Sequence, residues 1–345
     1  MKDRIKIDSK ELGRGCAPYI IAELSANHGG DIELAKKSIF AAANAGASAV
    51  KLQHYKPETI TFNSNAPEYM ITSGPWAGQS LYELYNGAFM PWEWTAELVK
   101  TAKEAGITLF SSPFDKSAIE LLEKFDMPAY KIASTEIIDT ALIKLAASTK
   151  KPLIISTGNA SLAQLDEAIQ TALKAGCEEL VVLKCTSHYP SLPEEMNLSA
   201  IKMLSKIYGC VVGLSDHTRG IAVPVAAVAL GASVIEKHFM LDCSVKSADD
   251  FFSVTADELK ELVSGCNDAF KAIGKPVLES VNLKAGRSLI AVKDIVKGEK
   301  LIFNKNFTSL RPGGGIEPKY YDLVDKKTAK TDIKAGALLV WDMIL

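Results

Sequence analysis

Short apolar runs rich in β-branched residues alternate with longer amphipathic stretches through most of this 345-residue chain. The runs lie at 19–24, 48–53, 108–111, 129–133, 153–156, 180–184, 211–214 and 233–237, and each reads as a strand. Between and after them come helical patterns at 32–45, 95–105, 117–125, 141–148, 162–175, 198–208, 221–230 and 256–273. Ala45-Gly46, Ala105-Gly106 and Ala175-Gly176 close three of the helices, where glycine takes the left-handed turn that ends a helix before a strand. Eight strand-helix units filling about 275 residues fit a closed (β/α)8 barrel better than a doubly wound sheet.

The longest insertion, 55–90, follows the second strand and contains Trp76 and the LYELY string at 81–85. A connection of that length at a barrel mouth serves as a lid or substrate wall, or packs along the barrel side. Beyond Lys284 the pattern changes to short β-like runs separated by Lys-Gly and Pro-Gly turns. The expected organisation is therefore a barrel over 1–276, a linker over 277–284 and a small β-rich domain over 285–345. Within that last domain DIVKGEKL (294–301) echoes DIKAGALL (332–339), suggesting two similar turns.

Charge narrows the function classes. The formal net charge is −2 and the 39 basic residues form no cluster, which argues against nucleic acid or a polybasic membrane surface as partner. The opening MKDRIKIDSK has no apolar run behind its charges and does not read as a signal peptide. The most apolar stretch, 221–235, is too short to span a bilayer. Six cysteines without a CxxC pair read as reduced thiols in a cytoplasmic protein.

In a barrel the C-terminal strand ends converge on one mouth, so polar residues just past each strand are candidates for function. Nearly every strand supplies one: Glu23; Lys51 and Gln53; Ser112; Lys131 and Ser134; Ser156 and Thr157; Lys184, Thr186 and Ser187; the SDH of 215–217; the EKH of 236–238. Lysines among hydroxyl donors suit a phosphate and a carboxylate in a partly dehydrated site, although Lys51 or Lys131 could instead be a buried ion-pair partner. His217 and His238, on neighbouring strands, can present imidazoles to one divalent ion, a donor set that favours Mn, Fe, Co or Zn over Ca. The competing reading is two packed, hydrogen-bonded histidines. His28 reads as a brace of the first loop, His54 and His188 as ordinary loop histidines, and the tryptophans of PWEW (91–94) as a helix start and core. Glu23 and Glu236 either balance the lysines or act as acid and base.

The strings ELSANH, AVKLQ, SSPF, YKIAS, ISTG, LKCTSHYP, GLSDHT and IEKHF occur in this order at barrel spacing, and the set resembles the sialic acid synthase family. The segment after Ala285, with LRPGGG, looks like that family's small antifreeze-like (SAF) domain. ELSANH, LYELY, PWEW, LKCTS and HFML look most like the pseudaminic acid synthase branch. The resemblance implies condensation of phosphoenolpyruvate with an acylamino sugar aldehyde, giving a nine-carbon 2-keto acid and phosphate. By position it implies Lys51, Ser112, Lys131, Ser134, Ser156 and Ser215 around phosphoenolpyruvate. It implies His217 and His238 on a divalent metal, manganese first with magnesium or cobalt as alternatives. Gln53, Tyr189 and Asp249 would face the sugar, and Arg311 would reach it from the partner chain of a domain-swapped homodimer. Glu23 or Glu236 would activate the water that adds to the enol-phosphate carbon. The alternatives are N-acetylneuraminate or legionaminate synthesis, a class I aldolase with a Schiff base on Lys131 or Lys184, condensation with a sugar phosphate, and a non-catalytic carbohydrate- or ice-binding protein.

Overall fold

The computed structural model describes residues 1–278 and 283–345, with only the backbone of Leu283. Two compact units divide the chain, Met1–Gly274 and Lys275–Leu345. The linker expected over 277–284 falls partly on residues 279–282, outside the described residues.

The first unit opens with a hairpin, β1 (Arg4–Ile7) and β2 (Lys10–Gly13), that the sequence reading did not anticipate. Eight parallel strands follow: β3 (Tyr19–Glu23), β4 (Ala49–His54), β5 (Thr108–Pro113), β6 (Tyr130–Ile132), β7 (Leu153–Ser156), β8 (Leu180–Lys184), β9 (Val211–Asp216) and β10 (Val234–His238). They close into a barrel in chain order, β10 pairing with β3. Four strands run one or two residues beyond the expected ends: β4 keeps His54, β5 Pro113, β9 Asp216 and β10 His238. Polar residues there resemble loop chemistry, yet the parallel ladder continues through them.

The outer layer comprises α1 (Ile32–Asn44), α2 (Pro57–Ile60), α3 (Leu81–Ala88), α4 (Thr95–Ala105), α5 (Lys116–Leu122), α6 (Thr140–Ser148), α7 (Leu162–Lys174), α8 (Ser199–Tyr208), α9 (Ala222–Ala229) and α10 (Ala256–Ile273). Capping boxes start α3 (Ser80 with Glu83), α7 (Ser161 with Gln164) and α10 (Thr255 with Glu258), each satisfying two otherwise orphaned donors. The short helices α2 and α3 belong to the 55–90 connection.

The barrel interior is layered. Its lower part is apolar, built from Tyr19, Ile21, Ala49, Phe110, Ala129, Ile154, Val181, Leu183, Val211 and Val234. Ile5, Ile7 and Leu12 of the hairpin join the same cluster, so the hairpin closes the end at which the strands begin. Two residues further along, the next inward positions turn polar on most strands, as at Glu23, Lys51, Lys131, Ser156, Ser215 and Glu236, the two-residue step following from side chains that alternate between the barrel interior and the helix layer. Gly213 sits where a Cβ would lie 2.2 Å from the Val234 carbonyl and 2.7 Å from Leu183.

The second unit packs Leu289, Ile295, Leu301, Phe307, Val324, Ile333 and Leu339 around a small core. Its antiparallel pair is β11 (Ser288–Ala291) with β12 (Phe307–Leu310), and α11 (Tyr321–Val324) follows. The two echoed strings meet: Ile295 and Ile333 exchange backbone hydrogen bonds of 2.8 Å each. Among the described residues no helix is long and apolar enough to cross a membrane, and all six cysteines are free thiols.

Candidate active site

A cavity of about 220 Å³ opens at the C-terminal ends of the strands. Of the fourteen residues to which the resemblance gives a role, twelve line it: Glu23, Lys51, Gln53, Lys131, Ser134, Ser156, Tyr189, Ser215, His217, Glu236, His238 and Asp249; of the other strand-end candidates, Thr157, Thr186 and Ser187 do not. Ser112 does not. It sits behind the lining and accepts a 3.1 Å hydrogen bond from Lys51 Nζ, so it braces the lysine instead of facing the cavity. Arg311 is an exposed residue of the second unit, outside the residues that line the cavity. Lys184 turns its Nζ to the Cys185 carbonyl at 2.8 Å and does not line the cavity either.

The floor is a cross-bonded set of buried charges. Lys131 Nζ donates to both carboxylate oxygens of Glu236, at 2.8 and 2.9 Å. Ser215 Oγ donates to Glu236 Oε1 at 3.1 Å. Lys51 Nζ lies 2.9 Å from Glu23 Oε2 and 3.6 Å from Glu236 Oε1. Gln53 Nε2 donates to Glu23 Oε1 at 2.7 Å and to Ser25 Oγ at 3.0 Å. Burial pushes the Glu236 carboxyl up, but Lys131 and Lys51 outweigh it and hold the group at about 2. For Lys51, burial works against the charge and the two glutamates more than offset it, leaving its ammonium favoured. Burial wins at Lys131, where Lys51 adds repulsion, so its pKa is lowered despite Glu236. Two oxygens stand apart from this network. Glu23 Oε2 is near enough to Lys51 for an ion pair but not aligned as a hydrogen bond, and Ser156 Oγ is buried without any partner.

Above the floor, the His217 and His238 rings meet edge to face at 5.4 Å between centroids. His217 Nδ1 lies 3.1 Å from the Thr186 carbonyl, a contact that places the proton on Nδ1 and frees Nε2. Burial, then the charge of His238, pushes its pKa down to about 3, keeping the imidazole neutral as a metal ligand must be. His238 Nδ1 is buried with no hydrogen-bond partner, 3.5 Å from Asp249 Oδ2. This donor set fits a divalent ion that takes two nitrogens from the protein and its remaining ligands from water and substrate. No cluster of three or more His, Cys, Asp or Glu able to hold a metal occurs among the described residues. Tyr189 stacks against His217 at 4.3 Å and Phe252 against His238 at 4.7 Å, shielding both rings.

The wall comes from outside the strands, from a segment the sequence marks only as a whole, by Trp76 and the LYELY string. The 55–90 connection contributes Tyr55, Ile60, Trp76, Leu84, Tyr85 and Ala88, and Phe114 follows β5. Tyr55 packs edge-on to Tyr85 and Phe114 at 5.6 and 5.4 Å. Trp76 Nε1 donates to the Ala248 carbonyl at 3.0 Å, tying the connection to the loop after β10 and leaving its ring as an apolar plane 6.0 Å from Tyr189. Thus the connection does form a cavity wall, as one of its two readings held. Ser25 and Cys185 also line the cavity unnominated.

The remaining histidines are structural. His54 ends β4 and is not a loop residue; it is buried between Ser111 Oγ (2.7 Å) and Thr95 Oγ1 (2.9 Å), and burial lowers its pKa to about 3. His28 accepts from the Gly30 amide at 3.0 Å and stacks on Trp94, bracing the first loop. His188 is exposed and pairs with Glu195 at 3.0 Å.

Comparison with known proteins agrees with this geometry. Residues 38–277 match the model of the NeuB family and residues 286–345 that of the SAF domain. The chain is 47% identical to pseudaminic acid synthase of Campylobacter jejuni subsp. jejuni serotype O:2 over 93% of its length and 95% of the relative's. It is 42% identical to pseudaminic acid synthase of Helicobacter pylori over 95% of its length and 98% of the relative's. The crystal structure of N-acetylneuraminic acid synthetase from Leptospira borgpetersenii, in complex with citrate, superposes with a TM-score of 0.73 at 32% identity, covering 82% of this chain and 94% of that one. A barrel whose strand ends gather two lysines, two glutamates and two imidazoles, followed by a unit matching the SAF domain, makes this chain a member of the NeuB, or sialic acid synthase, family.

Proposed function

We propose that the chain is a phosphoenolpyruvate-dependent nonulosonic acid synthase, and that its sugar is the pseudaminate precursor 2,4-diacetamido-2,4,6-trideoxy-L-altrose. The observation that carries the reading is one cavity holding a lysine floor, a pair of imidazoles and an apolar wall. A small substrate bearing a phosphate and a carboxylate, an aldehyde, and a deoxygenated, acylated sugar body need those three surfaces in that arrangement.

Lys51 and Lys131 hold the phosphate and carboxylate of phosphoenolpyruvate, with Ser134 and Ser156 donating hydroxyls, Ser215 joining them when it releases Glu236, and Ser112 fixing Lys51. A divalent ion on His217 and His238, manganese first with magnesium or cobalt as alternatives, would supply Lewis-acid polarisation of the sugar aldehyde. The new bond joins C3 of phosphoenolpyruvate to the aldehyde carbon, whose oxygen takes up a proton. C2 becomes electron-poor and accepts water. Glu236 is bonded by Lys131 and Ser215 and held near pKa 2, so it is a weak base and serves to keep the lysines in place. Glu23 retains an oxygen outside the hydrogen-bond network and takes the proton from the water. The proton Glu23 takes from the water is the one that ends on the sugar oxygen; collapse of the tetrahedral carbon turns its new hydroxyl into the keto group, breaks the C–O bond and releases phosphate, which carries away that hydroxyl's proton, onto the lysines.

Gln53, Tyr189 and Asp249 face the sugar, with Trp76 covering it from solvent. The wall from Tyr55 to Phe114 carries no charged side chain, and the Trp76 donor is already used, which suits methyl groups better than a hydroxylated chain end. Arg311 acts from the second subunit of a domain-swapped homodimer, in the cytoplasm.

One assay tests the reading. Phosphate release from phosphoenolpyruvate is followed with the pseudaminate, legionaminate and sialate precursors in turn, with and without manganese. Turnover is expected with manganese and the 6-deoxy sugars, fastest with the altrose, and absent after chelation. Release with no sugar, or full activity in EDTA, refutes the metal-assisted synthase. Preference for the sialate precursor refutes the choice of sugar alone.

A further inference from the structure

The two strands that carry the paired imidazoles are joined on their other face by a second buried ion pair. Asp216 directly precedes His217 and Lys237 directly precedes His238, and the parallel register sets Asp216 and Lys237 opposite one another. Both side chains are 0% exposed, with Nζ 2.6 Å from Oδ2. Because strand side chains alternate, these two point away from the barrel interior, and neither lines the cavity. On that side lies the buried Cys266 of α10, whose thiol is pushed up to about 12 first by burial and then by the charge of Asp216.

The pair also grips the chain as it leaves β9. Asp216 Oδ1 accepts from the Thr218 amide at 3.1 Å and its hydroxyl at 2.9 Å, and Lys237 Nζ donates to the Thr218 carbonyl. His217 is thereby bracketed between two clamped residues, while His238 follows a clamped one. An apolar pair would join sheet and helix with a smaller desolvation penalty, so packing alone does not account for two fully buried charges. Directional bonds do what packing cannot: they fix the relative slide of two strands and the exit angle of one of them.

We propose that the Asp216–Lys237–Thr218 clamp is a positioning device that sets the separation and orientation of the His217 and His238 imidazoles, and so the affinity of the site for a divalent ion. This rests on the reading of those histidines as the ion's ligands. The clamp touches neither substrate nor ion and acts from behind the sheet.

The test is the double variant D216N/K237M, which removes both charges together and leaves neither unpaired. Manganese binding is titrated by EPR, nitrogen couplings of the bound ion are read by pulsed EPR, and the fold is followed by circular dichroism and thermal melting. The folded variant is expected to bind manganese about 10- to 100-fold more weakly, with altered nitrogen couplings and unchanged phosphoenolpyruvate affinity. A folded variant with wild-type manganese affinity and couplings overturns the clamp. If the double variant fails to fold, Thr218→Val, which keeps both charges, carries the test: several-fold weaker manganese binding supports the clamp and unchanged binding overturns it. A wild-type chain whose bound manganese shows no nitrogen couplings overturns the ligand reading itself, and the clamp's role with it.

Discussion

Ser156 ends β7 with its hydroxyl buried and unpartnered, in a floor where nearly every other polar group is bonded. Leaving such a group unmade costs about 1–3 kcal/mol, and an incoming anion removes that penalty while gaining a charge-assisted bond. Ser156→Ala should therefore raise the KM for phosphoenolpyruvate roughly 10-fold or more, while the melting temperature holds or rises, because no hydrogen bond is lost in the free protein. A KM unchanged in steady-state kinetics would remove Ser156 from the anion site. At this scale the sequence was informative for most residues on strands, Lys184 and Ser112 being the exceptions. Lys51, Lys131, Ser215 and Glu236 could be placed because a strand end in a closed barrel has one destination. The rank of a residue within the site was not legible: Ser112 and Ser156 have equivalent strand-end positions, yet one supports Lys51 and the other faces the cavity. Nor could Trp76 be placed, since a loop's path is set by its docking partner, here the Ala248 carbonyl, and not by a periodicity.

At the level of elements, the strand-helix alternation foretold the eight barrel strands and the outer helices, with errors confined to their ends. Two of the overruns share a cause. Asp216 and His238 are polar because they serve the mouth or the layer behind it, so hydropathy stops before the ladder does. The hairpin was overlooked although Ile5, Ile7 and Leu12 alternate with charged neighbours about a two-residue turn, a period-2 signal masked by its brevity. Gly213 in β9 tests the packing of the barrel interior. A methyl there would overlap the Val234 carbonyl and Leu183, in a layer with no room to shift. Gly213→Ala should destabilise the barrel by about 1–3 kcal/mol in denaturant melts, and the strain passes directly into the β9–β10 pairing that holds the imidazoles. A wild-type melt would show that the interior can relax.

For the whole molecule, near-neutral charge concealed a local concentration of buried charge that only the fold could assemble. The two units invite a test of how they cooperate, because Arg311 and the barrel lysines lie in different ones. Arg311→Ala should raise the KM for the sugar with little change for phosphoenolpyruvate, and Lys131→Met should be inactive. If the tail serves the partner's barrel, mixing and re-pairing these two variants should return activity, since about a quarter of the sites regain a complete set by random pairing. Mixtures no more active than their components would place Arg311 within its own chain's site. The hairpin at the barrel's lower end has a last consequence. It makes the active centre a blind well with a single lip. With phosphoenolpyruvate held at the bottom, as proposed, it would enter before the sugar that covers it, and phosphate freed at the floor would leave only after the molecule above had gone. Such an order of traffic would follow from the closed lower end of the barrel, without any residue devoted to enforcing it.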